Sequence, residues 1–360
     1  MEGLELDYEL ITPSARIAAT THGGRAKCLQ RLLRLELPVP RTVAISFSGV
    51  HSIAAGHFEA LLDILDNFNK DDLLCVRPSS ESPDWGGPSA IMNIGMNDLR
   101  YDELKQKLGA DVASSIYIDF IQSYSLHVAR LDPDIFNQVD NENSEALPKV
   151  LEIYENETEQ VFPQDITVQL SEILRSMART WESTTARLLR QAKGAPIDAG
   201  LGLVIQVMAF GLGEGECGTG VLQLIDENNG KPKIKGRYKQ QSQISPKSSS
   251  DGTLYLTKDE RGWSLEEYNE KIFRQLVDFA TLMRIKLREE MQIEFSIQNG
   301  ILHILDGIKT PRKSQAAVKV AVSLAEDGII SRREAMMRIE PRAISELLHR
   351  QIDPEAERDI

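Results

Sequence analysis

Two carboxylates in the last third of the chain have a spacing that can hold a divalent cation. Residues 291–306 predict two short strands joined at Asn299-Gly300, a dipeptide typical of two-residue hairpin turns. Steps of two along the first strand place Glu294 on one face, together with two polar neighbours, Gln292 and Ser296. Apolar residues of the second strand fall on both faces, and Asp306 stands near its end. A carboxylate on each arm can hold Mg²⁺ against phosphates, although solvent-facing acids on strands are commoner.

Two arginines could bind the phosphates. Residues 22–27, His-Gly-Gly-Arg-Ala-Lys, open a predicted helix, so free backbone N–H groups, the helix dipole, Arg25 and Lys27 could attract an anion. The alternative is a simple glycine turn with surface cations. Arg77 follows an apolar strand and precedes Pro78, where a guanidinium can clamp a phosphate or form an ordinary salt bridge.

The elements that position these residues mix strands and helices. Strands are predicted at Thr42–Ser46, Leu73–Val76, Leu201–Phe210 and Gly220–Ile225. Helices are predicted at 24–36, 57–67, 99–131, 164–193, Leu265–Glu290, 314–327, 331–338 and 341–350. The glycine-rich turn 210–220 allows a ligand close to the backbone or is a flexible hairpin tip, and 240–252 is predicted to be mobile. This order predicts an α/β or α+β fold with more than one lobe.

Composition limits the classes of partner. The chain has 360 residues, a formal net charge of −13 and three cysteines without metal-ligand spacing. The negative charge argues against nucleic-acid binding. The chain has no apolar run of the roughly 20 residues that span a bilayer, and its acidic N-terminus lacks the pattern of a secretory signal. We therefore predict a cytoplasmic protein without membrane or nucleic-acid partners.

Several motifs together resemble a known family. They are Gly23–Arg25 with Leu37–Pro40, Leu73–Arg77 with Asn93–Asp98, Phe162–Asp165, Val204–Gly211 with Thr219–Val221, Ile293–Ile297, and a C-terminal series from Ala316 to Pro354. Their order is similar to that of the N-terminal nucleotide-binding domain of pyruvate phosphate dikinase, a relative of phosphoenolpyruvate synthase. The resemblance implies an α+β, ATP-grasp fold of two to three lobes with a nucleotide cleft between them. It implies lobes at 1–195 and 196–312, followed by a helical linker at 313–360.

The resemblance also assigns site residues. It implies ATP and Mg²⁺ as cofactors, and a histidine on a separate swivelling domain as phosphoryl acceptor. Four residues match nucleotide-binding positions, Arg25 and Arg77 for the phosphates and Gln206 and Met208 beside the adenine. Glu294 matches a metal-binding glutamate, and Asp306 replaces a glutamine that completes the metal site.

Other positions depart from the family pattern. Gln292 replaces an aspartate, Arg237 replaces a glutamate, and Ile308 replaces an arginine that would stabilise the transferring phosphoryl group, with Lys309 and Arg312 as nearby cations. The chain has neither the family's phosphohistidine segment nor its barrel domain for pyruvate. The sequence therefore predicts one of two functions. The first is phosphoryl transfer from Mg·ATP to a histidine on another polypeptide, and the alternative is a catalytically silent homologue acting as a binding or regulatory subunit. The chain could also be a fragment of a longer one.

Overall fold

The protein folds into two compact units, Met1–Gly215 and Glu216–Ile360. The structure, a computed structural model, describes residues 6–137, 139, 146–213, 215–242, 253–260 and 262–348. Each unit contains one five-stranded antiparallel sheet with helices. This is the α+β class predicted from the sequence, and it is consistent with an ATP-grasp-like fold.

The first unit is built on a sheet of strand order β1-β2-β5-β3-β4. Its strands are β1 (Tyr8–Leu10), β2 (Thr42–Ile45), β3 (Leu74–Ser79), β4 (Ile91–Ile94) and β5 (Gly202–Val207). Its helices are α1 (Ala19–Arg34), α2 (Phe47–Ala55), α3 (Leu61–Leu65), α4 (Asp98–Leu108), α5 (Ala110–Tyr124), α6 (Ala146–Thr158), α7 (Ile166–Glu182) and α8 (Thr184–Ala192). Short helical turns lie at Pro83–Trp85, Ser125–Ala129 and Pro133–Phe136.

The two faces of this sheet are covered by different helices. Leu203 and Ile205 of β5 belong to the large apolar core that also contains buried residues of α5 and α7. The opposite face packs against α1, where the backbone of His22 lies against Gly202. Burial of a mostly apolar face on each side therefore holds the central strands β3 and β5 in place.

The second unit is built on a sheet of strand order β10-β9-β6-β7-β8. Its strands are β6 (Gly218–Ile225), β7 (Pro232–Gln240), β8 (Thr253–Tyr255), β9 (Met291–Gln298) and β10 (Ile301–Lys309). Its helices are α9 (Leu265–Tyr268), α10 (Glu270–Leu287), α11 (Ser314–Glu326), α12 (Arg332–Met337) and α13 (Pro341–Leu348). The amphipathic helix α10 contacts β6 and β9. The inward residues of β9, Ile293, Phe295 and Ile297, are fully buried.

The hairpin prediction is confirmed. Strands β9 and β10 pair in antiparallel fashion and are joined at Asn299 and Gly300, whose φ angles of 51° and 77° suit a two-residue turn.

Helix boundaries were predicted less well. The first helix begins at Ala19 rather than residue 24, with a break at Gly23. The stretch 99–131 is divided at Gly109, and only Leu61–Leu65 of the predicted helix 57–67 is helical. Helices α2 and α6 and strands β1, β4, β7 and β8 were not predicted. Most of the segment 240–252, predicted to be mobile, lies outside the described residues. Within the described ranges, no helix combines the length and apolar character that crossing a membrane requires.

Candidate functional site

Arg77 lies on the face of the first unit's sheet that α1 covers. It stands opposite Val204 of β5. Two residues earlier in β3, Cys75 stands opposite Gln206 of β5. Because side chains alternate along a strand, Arg77 and Gln206 share this face. The Arg77 side chain is half-buried. The structure therefore brings two of the predicted nucleotide-binding residues to one surface of one sheet.

A break in α1 at Gly23 docks this helix onto the end of β3. Gly23 has a φ of 85°, and a Cβ atom there would lie 1.7 Å from the carbonyl oxygen of Ser79. The buried Ser79 hydroxyl donates to the His22 carbonyl at 2.7 Å and accepts from the Ala26 N–H at 3.1 Å. The Gly24 N–H donates to the Ser80 carbonyl at 2.7 Å. Two N–H groups that the sequence suggested as anion donors are therefore already bonded within the protein, because the glycine pair serves to bring two backbones together.

Arg25 reaches the same end of β3. Its guanidinium Nη1 donates to the carbonyl oxygen of Pro78, the residue that follows Arg77. Lys27, the other cation suggested here, instead donates to the Ile17 carbonyl and to Gln30 Oε1, each at 2.8 Å. The structure thus associates Arg25, and not Lys27, with the strand end that carries Arg77.

Gln206 and Met208 occupy different environments. Gln206 is buried, and its Nε2 donates to Thr42 Oγ1 at 3.0 Å on the neighbouring strand. Met208 follows the end of β5 and is half-buried, and its sulfur accepts the Asn93 N–H at 3.0 Å. The amide of Gln206 is thus committed to the sheet. The adenine-side role of both residues stays a prediction.

In the second unit, a β-bulge brings Glu294 and Asp306 together. Ile304 pairs with Phe295 and Asp306 pairs with Glu294, so Leu305 is an extra residue in β10. In a regular ladder without the bulge, Leu305 would lie opposite Glu294, and Asp306 would lie opposite Ile293 and turn toward the apolar core. The bulge explains why the apolar pattern of β10 did not alternate. It also places both carboxylates on one face, with Cα atoms about 4.5–5.5 Å apart, as in any directly opposed pair.

The carboxylate pair could hold a Mg²⁺ ion that also binds phosphates, but it offers too few ligands for a metal ion bound by protein side chains alone. Asp306 is buried, and its Oδ1 accepts the N–H of Gly307 at 2.8 Å, while Glu294 is half-buried. Among the residues that the structure describes, no group of three or more histidine, cysteine or carboxylate side chains is arranged to hold a metal ion. Mg²⁺ is commonly bound by one or two carboxylates together with substrate phosphates. Glu294 and Asp306 therefore fit a metal that arrives with a nucleotide.

The departures from the family pattern lie one row farther along the same face. Gln292 of β9 stands directly opposite Ile308 of β10. The two nearby cations do not replace the missing arginine. Lys309 Nζ lies 3.8 Å from Glu289 Oε2, and Arg312 donates to Glu289 Oε1 at 2.8 Å. Both cations are thus paired with the same carboxylate outside this face.

Two features of the sites were not predicted from the sequence. Ser79 holds the break in α1, but its partners lie more than 50 residues away in the chain. Strand β7 lies beside β6 and places Arg237 in the same row of the sheet as Glu294. The Gly236-Arg-Tyr238 stretch was noted only as a departure from the family pattern. The alternating charges of β7 were the signal that could have identified it as a strand.

Comparison with known proteins confirms the resemblance. The chain is 26% identical over 382 residues to a pyruvate, phosphate dikinase of Rhizobium meliloti. This alignment covers 94% of this chain and 42% of the relative. It is 26% identical over 373 residues to a chloroplastic pyruvate, phosphate dikinase of Mesembryanthemum crystallinum, covering 94% of this chain and 39% of the relative. For the enzyme of Clostridium symbiosum, the identity is 26% over 79% of this chain and 34% of the relative. No family model matches the chain. The chain thus spans less than half the length of these curated relatives, as a partial module would.

Proposed function

We propose that this protein binds Mg·ATP and donates a phosphoryl group to a histidine on another polypeptide. The observation that carries the proposal is the directly opposed pair Glu294 and Asp306, which only the bulge at Leu305 places on a common face. Mg²⁺ is commonly bound by one or two carboxylates together with substrate phosphates, and two directly opposed carboxylates on one sheet face can supply such ligands.

The proposal gives these side chains two roles. Arg25 and Arg77 have planar guanidinium groups, which suit phosphate oxygens. Glu294 and Asp306 would hold Mg²⁺, which would neutralise the charge of the phosphates. In the transfer, a bond forms between the acceptor's imidazole nitrogen and phosphorus. The phosphorus–oxygen bond to the leaving group breaks, and its electron pair stays on that oxygen. The chain's own residues position the phosphates and need not form a covalent bond.

Calorimetric titration of the full chain with Mg·ATP tests the first step. We expect saturable heat, and we expect Arg77→Ala to weaken the affinity roughly 10- to 100-fold, since a charged hydrogen bond contributes about 1.5–3 kcal/mol. Arg179→Ala, which removes an exposed arginine of α7, is the matched control and should leave the affinity unchanged. Absence of heat up to millimolar nucleotide would remove the proposal. An unchanged affinity of Arg77→Ala would show that the phosphate site lies elsewhere.

A second function is favoured by Gln292 and Ile308. Both positions lie on the carboxylate face, and neither supplies the charge that the family pattern has there. A protein with this face could bind Mg·ATP and act as a binding or regulatory subunit of a partner without transferring phosphate. Incubation with γ- and β-labelled ATP and a histidine-bearing acceptor domain separates the two functions. Label in an acid-labile, base-stable form on the acceptor supports transfer. Bound but unconsumed ATP supports the silent subunit.

A further inference from the structure

Strand β7 adds cations to the face that carries the two carboxylates. Its residues Lys235, Arg237 and Lys239 alternate along the strand, so the three side chains leave the sheet on the same side. The pairing of β7 with β6, and of β6 with β9, identifies which side this is. Val221 of β6 stands opposite Arg237 on one edge and opposite Glu294 on the other.

Four residues therefore form one row across four strands, in the order Arg237, Val221, Glu294 and Asp306. Neighbouring strands lie about 4.8 Å apart, so the backbones at Arg237 and Glu294 are separated by roughly 10 Å. Arg237 and the carboxylate pair at this separation can both contact a chain of phosphates that runs along the row.

Arg237 differs from the two other cations of the cavity that it lines. This cavity has a volume of about 550 Å³, and its charged lining residues are Lys233, Lys235, Arg237, Glu227 and Glu260. Lys233 pairs with Glu260 at 2.9 Å and Lys235 pairs with Glu227 at 3.0 Å. Arg237 forms no ion pair with any residue that the structure describes. Lys235 also contacts Asp226 at 3.3 Å, so Arg237 is the cation of this lining that has no carboxylate partner among the described residues.

The ring of Tyr255 holds this guanidinium in place. Tyr255 stands opposite Arg237 on β8, and the guanidinium carbon lies 4.2 Å from the centre of the tyrosine ring. Stacking uses the face of the planar group and leaves the N–H donors at its edge available for an oxyanion. An arginine oriented in this way loses little side-chain freedom when it binds phosphate.

We propose that Arg237 binds the phosphate chain of the nucleotide, on the opposite side of Glu294 from Asp306. The inference rests on the proposed function, because it takes the two carboxylates as the metal site. The ligand class is a polyphosphate, namely a nucleoside triphosphate or inorganic tripolyphosphate with Mg²⁺.

Titration calorimetry with two probes, Mg·ATP and Mg·tripolyphosphate, tests the assignment on the full chain. For Arg237→Leu we expect a roughly 10- to 100-fold weaker affinity for both probes, as for loss of a charged hydrogen bond. Arg237→Lys keeps the positive charge without the planar guanidinium group, so its affinity for both probes should fall less than that of Arg237→Leu. Tyr255→Leu keeps Arg237 but removes the ring that it stacks on. The affinity of this variant should also lie between those of the wild type and Arg237→Leu. The control is Arg274→Leu, which removes an exposed arginine of α10 and should change neither affinity.

The outcomes separate this inference from the proposed function. If the wild-type protein binds neither probe, the proposed function fails and the inference with it. If the wild type binds Mg·ATP and Arg237→Leu binds it equally well, the proposed function stands and the role of Arg237 is refuted. If Arg237→Leu weakens Mg·ATP but not Mg·tripolyphosphate, Arg237 acts on the nucleoside and its assignment to the phosphates is wrong. Circular dichroism and the unfolding midpoint of each variant show whether a lost affinity reflects lost folding.

Discussion

Replacement of Ser79 by alanine tests how the structure positions Arg25 and Arg77, the two arginines that we propose bind phosphates. The Ser79 hydroxyl is buried and makes two hydrogen bonds, to the His22 carbonyl at 2.7 Å and from the Ala26 N–H at 3.1 Å. Ser79→Ala removes both bonds and leaves two backbone groups of α1 without these partners. A buried group without a partner costs about 1–3 kcal/mol. Allowing for partial relaxation, we expect the free energy of unfolding to fall by about 2–4 kcal/mol.

Urea unfolding can be followed in this unit alone. Trp181 is buried in the first unit, whereas the tryptophan of the second unit, Trp263, is 78% exposed and reports little change. The control is Ser80→Ala. Among the described residues, the Ser80 hydroxyl donates to the Ser82 carbonyl two residues away at 2.7 Å, and the loss of this local bond should cost less than about 1 kcal/mol. Because the break in α1 carries Arg25 to β3, Ser79→Ala should also weaken Mg·ATP binding. A Ser79→Ala protein within about 0.5 kcal/mol of wild type would refute the docking argument.

Two further predictions concern buried charge. Burial raises the pKa of the Asp119 carboxyl to about 6, so the folded state holds its proton more tightly and the free energy of unfolding falls as the pH rises from about 4 to 6. Asp119→Asn should remove this pH dependence and add up to about 3 kcal/mol at pH 7.5 in urea unfolding, whereas the exposed Asp102→Asn should change little. Glu290 is buried and pairs with Arg284, so Glu290→Ala should cost about 3–5 kcal/mol. Asp327→Asn, at the half-exposed partner of the same arginine, should lower the urea midpoint far less, and equal losses would contradict this account.

Local sequence signals predicted the parts of the fold that depend on neighbouring residues. The turn at Asn299-Gly300 was predictable because few residues tolerate two successive positive φ angles. The face that carries Glu294 followed from alternation along one strand. Both features are properties of about ten consecutive residues, and both are confirmed.

The features that were missed depend on distant residues. The bulge at Leu305 is defined by pairing with β9, and alternation along β10 alone could show only that the pattern fails. Strand β7 is a polar sequence whose single fully buried side chain, Tyr238, stacks on Phe295 of another strand. The glycine pair at the start of α1 indicated a phosphate loop from sequence. In the structure, Gly23 is required by the backbone of Ser79.

The central claim is that Glu294 and Asp306 form one metal site for a bound nucleotide. The direct measurement is the affinity of the full chain for ATP as the Mg²⁺ concentration is varied, for wild type and for the double variant Glu294→Gln, Asp306→Asn. We predict that Mg²⁺ strengthens ATP binding to the wild type by at least tenfold and has no effect on ATP binding to the double variant. Equal Mg²⁺ dependence in the two proteins would contradict the account.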